Sequence, residues 1–273
     1  MNLPDSPALP DPLNATPSDF APVIEPSPPP PKPWPAWGFV DVLLLMFIFA
    51  LILMVSATVV PLVARLLPAF SHASTADLRT NAILGIVIQA ISYLLWLAPI
   101  GLVLYARTGE PFFHAIRWNW PRPKKLLLLI GVGIIATIVL TLTSILVPSP
   151  DDAPFEEFFK TRSAAYAIAL FGILFAPFFE ELFFRGLLYP AIRARAGLIP
   201  ALVFTAALFG LLHAPEWDMA WGPVLIIFFV GLVLTLVREY AQSLAASWII
   251  HVIYNGLLIV GSFIESHGFT RLH

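Results

Sequence analysis

Apolar residues run through this chain in long blocks separated by short polar loops, and the lengths of the blocks dictate the elements. Seven blocks follow residue 38: Phe39–Leu67, Ala82–Tyr105, Leu126–Val147, Ala164–Tyr189, Pro200–His213, Pro223–Val237 and Leu244–Phe263. A helix of about 20 apolar residues crosses the roughly 30 Å hydrocarbon core of a bilayer. Runs of this length, apolar without strict alternation, select helices over strands. The predicted fold is all-α, a polytopic transmembrane helical bundle of about seven membrane helices. The fifth and sixth blocks are short for a full crossing, which predicts tilted or broken helices shielded by their neighbours. Trp37, Trp96, Trp118, Trp120, Trp217, Trp221 and Trp248 fall near predicted helix ends, as an aromatic belt requires. No internal repeat is visible.

The first 38 residues break the pattern. They hold 13 of the 27 prolines, including Pro28 to Pro31, together with Asp5, Asp11, Asp19 and Glu25. Such a segment cannot bury enough apolar surface to fold, so a disordered Pro-rich tail is predicted. It has no apolar h-region of a cleavable signal peptide. The sequence thus divides into a tail at 1–38, N-terminal transmembrane helices at 39–163 and a transmembrane segment at 164–263 that carries the chemistry described below.

Composition agrees with the pattern. Only 12% of the 273 residues are charged and 59% are hydrophobic, with mean hydropathy +0.85. Soluble domains carry about 25% charged residues. A net charge of −2 gives no nucleic-acid footprint. With no cysteine, disulfides, thiolate metal sites and a cysteine nucleophile are excluded. Loop charge sets orientation. Arg107, Arg117, Arg122, Lys124 and Lys125 fill the second loop, and Arg193 and Arg195 the fourth. Asp151, Asp152, Glu156, Glu157, Glu216 and Asp218 occupy the alternate loops. The positive-inside rule then predicts a cytoplasmic N-terminus and an external C-terminus for seven crossings.

The fourth block carries Glu180, Glu181 and Arg185 inside apolar sequence. Each charge at membrane depth costs about 2.5–3.5 kcal/mol even on lenient scales, so three within six residues imply function. Glu181 and Arg185, four apart, share a helix face and can pair. Glu180 is turned about 100° away. A carboxylate in a partly dry site can act as general base on water. His251 and Asn255 are also four apart, and paired donors could stabilise an oxyanion. His213, on a third helix, could orient the water or bind a metal. Helical rise puts all these groups in one layer of the bilayer, and a shared cavity is expected. His72, His114, His267 and His273 fall in loops or at the terminus and read as surface residues, and Asp41 suits the first helix's dipole.

Together the motifs resemble the CAAX-protease and bacteriocin-processing family of intramembrane proteases, which includes the type II CAAX prenyl endopeptidases. Its pattern of Glu-Glu-x-x-x-Arg, Phe-x-x-x-His and His-x-x-x-Asn is matched in order by Glu180-Glu181 with Arg185, Phe209 with His213, and His251 with Asn255. The resemblance covers about Ala164 to Val260. It implies an endopeptidase in which Glu180 activates water with His213, Glu181 and Arg185 support the site, and His251 with Asn255 stabilise the oxyanion. Members are described both as zinc metalloproteases and as metal-independent glutamate proteases. The sequence lacks His-Glu-x-x-His, and if zinc is bound, Glu180, His213 and His251 are the candidate ligands. The implied partners are the lipid bilayer and an apolar peptide or lipidated protein, not nucleic acid. The implied location is a multi-pass place in the membrane, the plasma membrane in bacterial relatives. Two other functions fit the same polar layer: a non-catalytic immunity or binding protein of the same fold, and a transporter. The missing repeat weighs against the transporter.

Overall fold

The computed structural model describes residues 34–150 and 161–269. The tail through residue 33, the acids Asp151, Asp152, Glu156 and Glu157, and His273 lie outside the described residues. Among the described residues seven apolar helices of ten or more residues are present: α1 Phe39–Ala64, α2 Ala82–Thr108, α3 Pro123–Ser144, α4 Arg162–Ala196, α5 Leu198–Leu212, α6 Trp221–Ala241 and α7 Leu244–Glu265. Six of them are long and apolar enough to cross a membrane; α5 is short, as its block predicts, whereas α6, also expected to be short, is long enough. The 15 residues of α5 rise only about 22 Å. A 3₁₀ turn, Ala214–Trp217, follows it before α6 begins. α6 exceeds the predicted Pro223–Val237 because Arg238 and Glu239, which looked like a loop, continue its last turn.

Helix ends are set by side chains that take up orphan backbone N–H groups. Asp41 accepts from the Gly38 N–H at 2.8 Å and also pairs with Arg107 of α2. Asn81 caps α2, Thr161 caps α4 and Ser243 caps α7. The dipole role read for Asp41 therefore extends to an ion pair.

α1 packs on α2, α3 lies against α6 and α7, and α5 runs along α6. α4 is enclosed among them: 44% of its apolar window is buried, against 17% for α1. The α5–α6 approach depends on glycine. A Cβ at Gly210 would stand 2.9 Å from the Val224 carbonyl, and one at Gly231 would stand 3.1 Å from the Phe209 ring.

One end of the bundle gathers the start of α1, the α2–α3 loop, the end of α4 and the α6–α7 turn. The Trp37 indole donates to the Leu187 carbonyl and the Trp34 indole to Ala115. Arg117 lies 3.6 Å over the Trp34 ring, and Arg193 pairs with Glu239. Burial lowers the Arg117 pKa, opposed by Glu110. The Ser243 hydroxyl donates to the Asn119 carbonyl. Two tryptophans thus depart from the predicted belt. Trp37 is only 2% exposed, and Trp96, 3% exposed, sits mid-helix and donates to Leu45 of α1. Both serve packing between helices, whereas Trp120 and Trp221 remain exposed.

Candidate active site

The site is built on an irregular stretch of α4, where two π-helical segments, Phe171–Phe175 and Leu182–Leu188, flank Ala176–Glu181. Their cause is in the sequence. The Ala176 N–H bonds the Phe171 carbonyl five residues back. In that register the next donor to Gly172 would be residue 177, a proline with no N–H. The Asn255 side chain supplies the missing donor, from Nδ2 to the Gly172 carbonyl at 2.8 Å. The pattern repeats one segment later. The Tyr189 N–H bonds Phe184, Pro190 leaves the Arg185 carbonyl unmatched, and Arg238 Nε donates to it at 3.3 Å. Each proline frees one carbonyl, and each freed carbonyl ties α4 to a neighbouring helix.

Between these ties lie the carboxylates. Glu181 and Arg185 are fully buried and pair at 2.9 Å, as their spacing predicts. Arg185 Nη2 also donates to the Gly231 carbonyl and Nε to the Thr235 hydroxyl, while its guanidinium lies 4.5 Å over the Phe209 ring. Thr235 and Gly231 are functional neighbours that sequence reasoning missed. A threonine and a glycine in an apolar helix carry no signal until their partner is known.

His251 stands between the two carboxylates. Its Nδ1 is 2.9 Å from Glu181 Oε1, and its Nε2 is 3.5 Å from Glu180 Oε2. Ionised Glu181 can only accept, so Nδ1 carries a hydrogen and Nε2 faces Glu180. Glu180 differs from its neighbour in surroundings: its side chain is 19% exposed, against none for Glu181. The adjacent acids thus differ: Glu181 is buried and paired with Arg185, and Glu180 is partly exposed with no arginine in ion-pair contact among the described residues.

His213 closes α5 as its C-cap residue. Its Nδ1 is 2.7 Å from the Phe209 carbonyl. A carbonyl only accepts, so Nδ1–H donates and a neutral ring presents a bare Nε2. The Phe209 ring touches both imidazoles, at 4.7 Å from His213 and 5.8 Å from His251. Glu216, in the turn that follows, lies within electrostatic range of both His213 and Glu180. It was read only as loop charge. Its place beside the site depends on α5 stopping short, which no local motif announces.

Glu180, Glu181, Arg185 and His251 thus form one contact cluster, His213 is connected to it through the Phe209 ring, and the Asn255 amide faces Gly172. Among the described residues no group of three or more His, Asp or Glu side chains converges as a cation site.

Residues 162–257 match the family described as Type II CAAX prenyl endopeptidase Rce1-like. The matched segment runs from the start of α4 into α7 and is similar to that family, consistent with the CAAX-protease and bacteriocin-processing resemblance. Neither the curated proteins nor the solved structures compared with the chain give a match.

Proposed function

We propose that this protein is an intramembrane endopeptidase that hydrolyses peptide bonds of an apolar or lipidated peptide, with Glu180 activating water. The observation that carries the reading is the division of labour around His251. Arg185 neutralises Glu181, and Glu180 is left partly exposed on the far side of the imidazole. A water between Glu180 and the bare Nε2 of His213 gives its proton to Glu180 as its oxygen bonds the scissile carbonyl carbon. The carbonyl electrons move onto oxygen, and His251 acting as an imidazolium, with Nδ1–H held by Glu181, stabilises that oxyanion through its Nε2 hydrogen. Glu180 then returns the proton to the amide nitrogen as the C–N bond breaks. Asn255 acts through position, since its amide holds α7 to α4 at Gly172.

The test is turnover of a fluorogenic peptide by purified protein in detergent. Glu180→Gln is nearly isosteric but cannot take a proton, so turnover should fall close to background. A chelator should leave wild-type turnover unchanged. Full activity in Glu180→Gln would reject the mechanism and favour a binding or transport role, and loss on chelation would make Glu180, His213 and His251 metal ligands.

A further inference from the structure

The matched segment does not contain every polar group at this depth. Gln89 and Tyr93 lie four apart in the 27-residue apolar helix α2, outside 162–257. The Tyr93 ring stacks on Phe179, the residue before Glu180, at 4.5 Å between centroids and 7° between planes. Phe49 and Phe171 lie nearly parallel to it at 5.6 and 6.3 Å, so the ring is fixed, and the residue is 8% exposed. Its hydroxyl lies in the electrostatic field of Glu180 and of Glu216.

Gln89 Nε2 donates to that hydroxyl at 3.0 Å. The bond uses the hydroxyl as acceptor, and among the described residues nothing accepts its hydrogen. Gln89 itself is exposed in mid-helix. An exposed amide in an apolar helix with its carbonyl and one N–H unmet is costly at membrane depth, so this face calls for a polar occupant. A primary amide offers both a donor and an acceptor, and the tyrosine adds a donor. That set complements the N–H and C=O groups of a peptide backbone, which have no other partners at membrane depth.

We propose that Gln89 and Tyr93 form the edge that binds the backbone of an extended peptide beside Glu180. Gln89 Oε1 accepts a backbone N–H, and the Tyr93 hydroxyl donates to a backbone C=O. The proposal deepens the endopeptidase reading and rests on it for the identity of the occupant. It gives the N-terminal helices a share in substrate recognition.

The experiment measures binding and turnover separately on the full chain in detergent. Binding of a fluorescein-labelled apolar peptide is followed by anisotropy in a Glu180→Gln background, which prevents cleavage. Gln89→Leu and Tyr93→Phe should each weaken Kd by about 2- to 10-fold, the range for one lost hydrogen bond. In the active protein the same changes should raise KM more than they lower kcat. A series of peptides with single backbone amides replaced by esters should contain one member that Gln89→Leu no longer weakens. Unchanged Kd and KM in both variants, with only a lowered melting temperature, would overturn the proposal and make the pair a packing contact. So would absence of peptide binding by the parent protein. Binding without cleavage by wild type would instead reject the endopeptidase reading while leaving the peptide edge in place.

Discussion

Arg185 sends its guanidinium nitrogens to three different partners: Nη1 to Glu181, Nη2 to the Gly231 carbonyl and Nε to the Thr235 hydroxyl. Removing one member of a buried ion pair strands the other charge, at a cost of about 3–5 kcal/mol. Arg185→Ala should therefore lower the melting temperature in detergent sharply and abolish turnover. Arg185→Lys keeps the charge but loses the planar fork and cannot serve all three partners. It should remain folded with partial activity, and wild-type stability and turnover in Arg185→Ala would reject the anchoring role. This pair was legible in the sequence because charges are scarce in apolar segments and a four-residue spacing fixes a shared face. Tyr93 and Gln89 were not legible. Tyrosine and glutamine are ordinary in a helix, and only the Phe179 stack shows which way they point.

The elements themselves were legible as apolar blocks, but their irregularities were not. Pro177 and Pro190 stand in plain view, yet the two π-helical segments and the carbonyls they free at Gly172 and Arg185 depend on the register that the helix adopts. The end of α6 was read too early because charged residues normally mark a loop, whereas Arg238 and Glu239 are held by partners on α4. The N–H that Pro177 lacks makes the role of Asn255 directly testable. Asn255→Ala strands the Gly172 carbonyl and loosens α7 against α4, so turnover should fall. Pro177→Ala restores a backbone N–H in the position to serve that carbonyl. In a Pro177→Ala background, Asn255→Ala should therefore cost much less than it does alone. A double-mutant cycle on turnover and melting temperature measures the coupling. If Asn255 instead donates directly to the oxyanion, its loss should cost about 10²–10³ in turnover in either background, and the coupling vanishes.

At the scale of the molecule, the contacts gather the start of α1, the α2–α3 loop, the end of α4 and the α6–α7 turn at one end of the bundle. The opposite end takes the α1–α2 connection, the end of α3, the start of α4, the turn after α5 and the end of α7. The basic residues Arg107, Arg117, Arg122, Lys124, Lys125, Arg193 and Arg195 belong to the first end, and the positive-inside rule predicts a cytoplasmic place for it. That orientation requires α5 and its turn together to complete a passage, although α5 alone is too short. α6, at 21 residues, returns a full membrane thickness to the first end, so the turn before it must stand near the other face. Because the chain has no cysteine, single introduced thiols can report each position without background. Lys125→Cys, Asp218→Cys and Glu265→Cys place one thiol at the first end and two at the second. In intact cells a membrane-impermeant maleimide should label Asp218→Cys and Glu265→Cys, and Lys125→Cys only after the membrane is permeabilised. The reverse pattern would invert the molecule. Labelling of Glu265→Cys but not Asp218→Cys in intact cells, with both labelled after permeabilisation, would show that α5 and its turn do not reach the outer face.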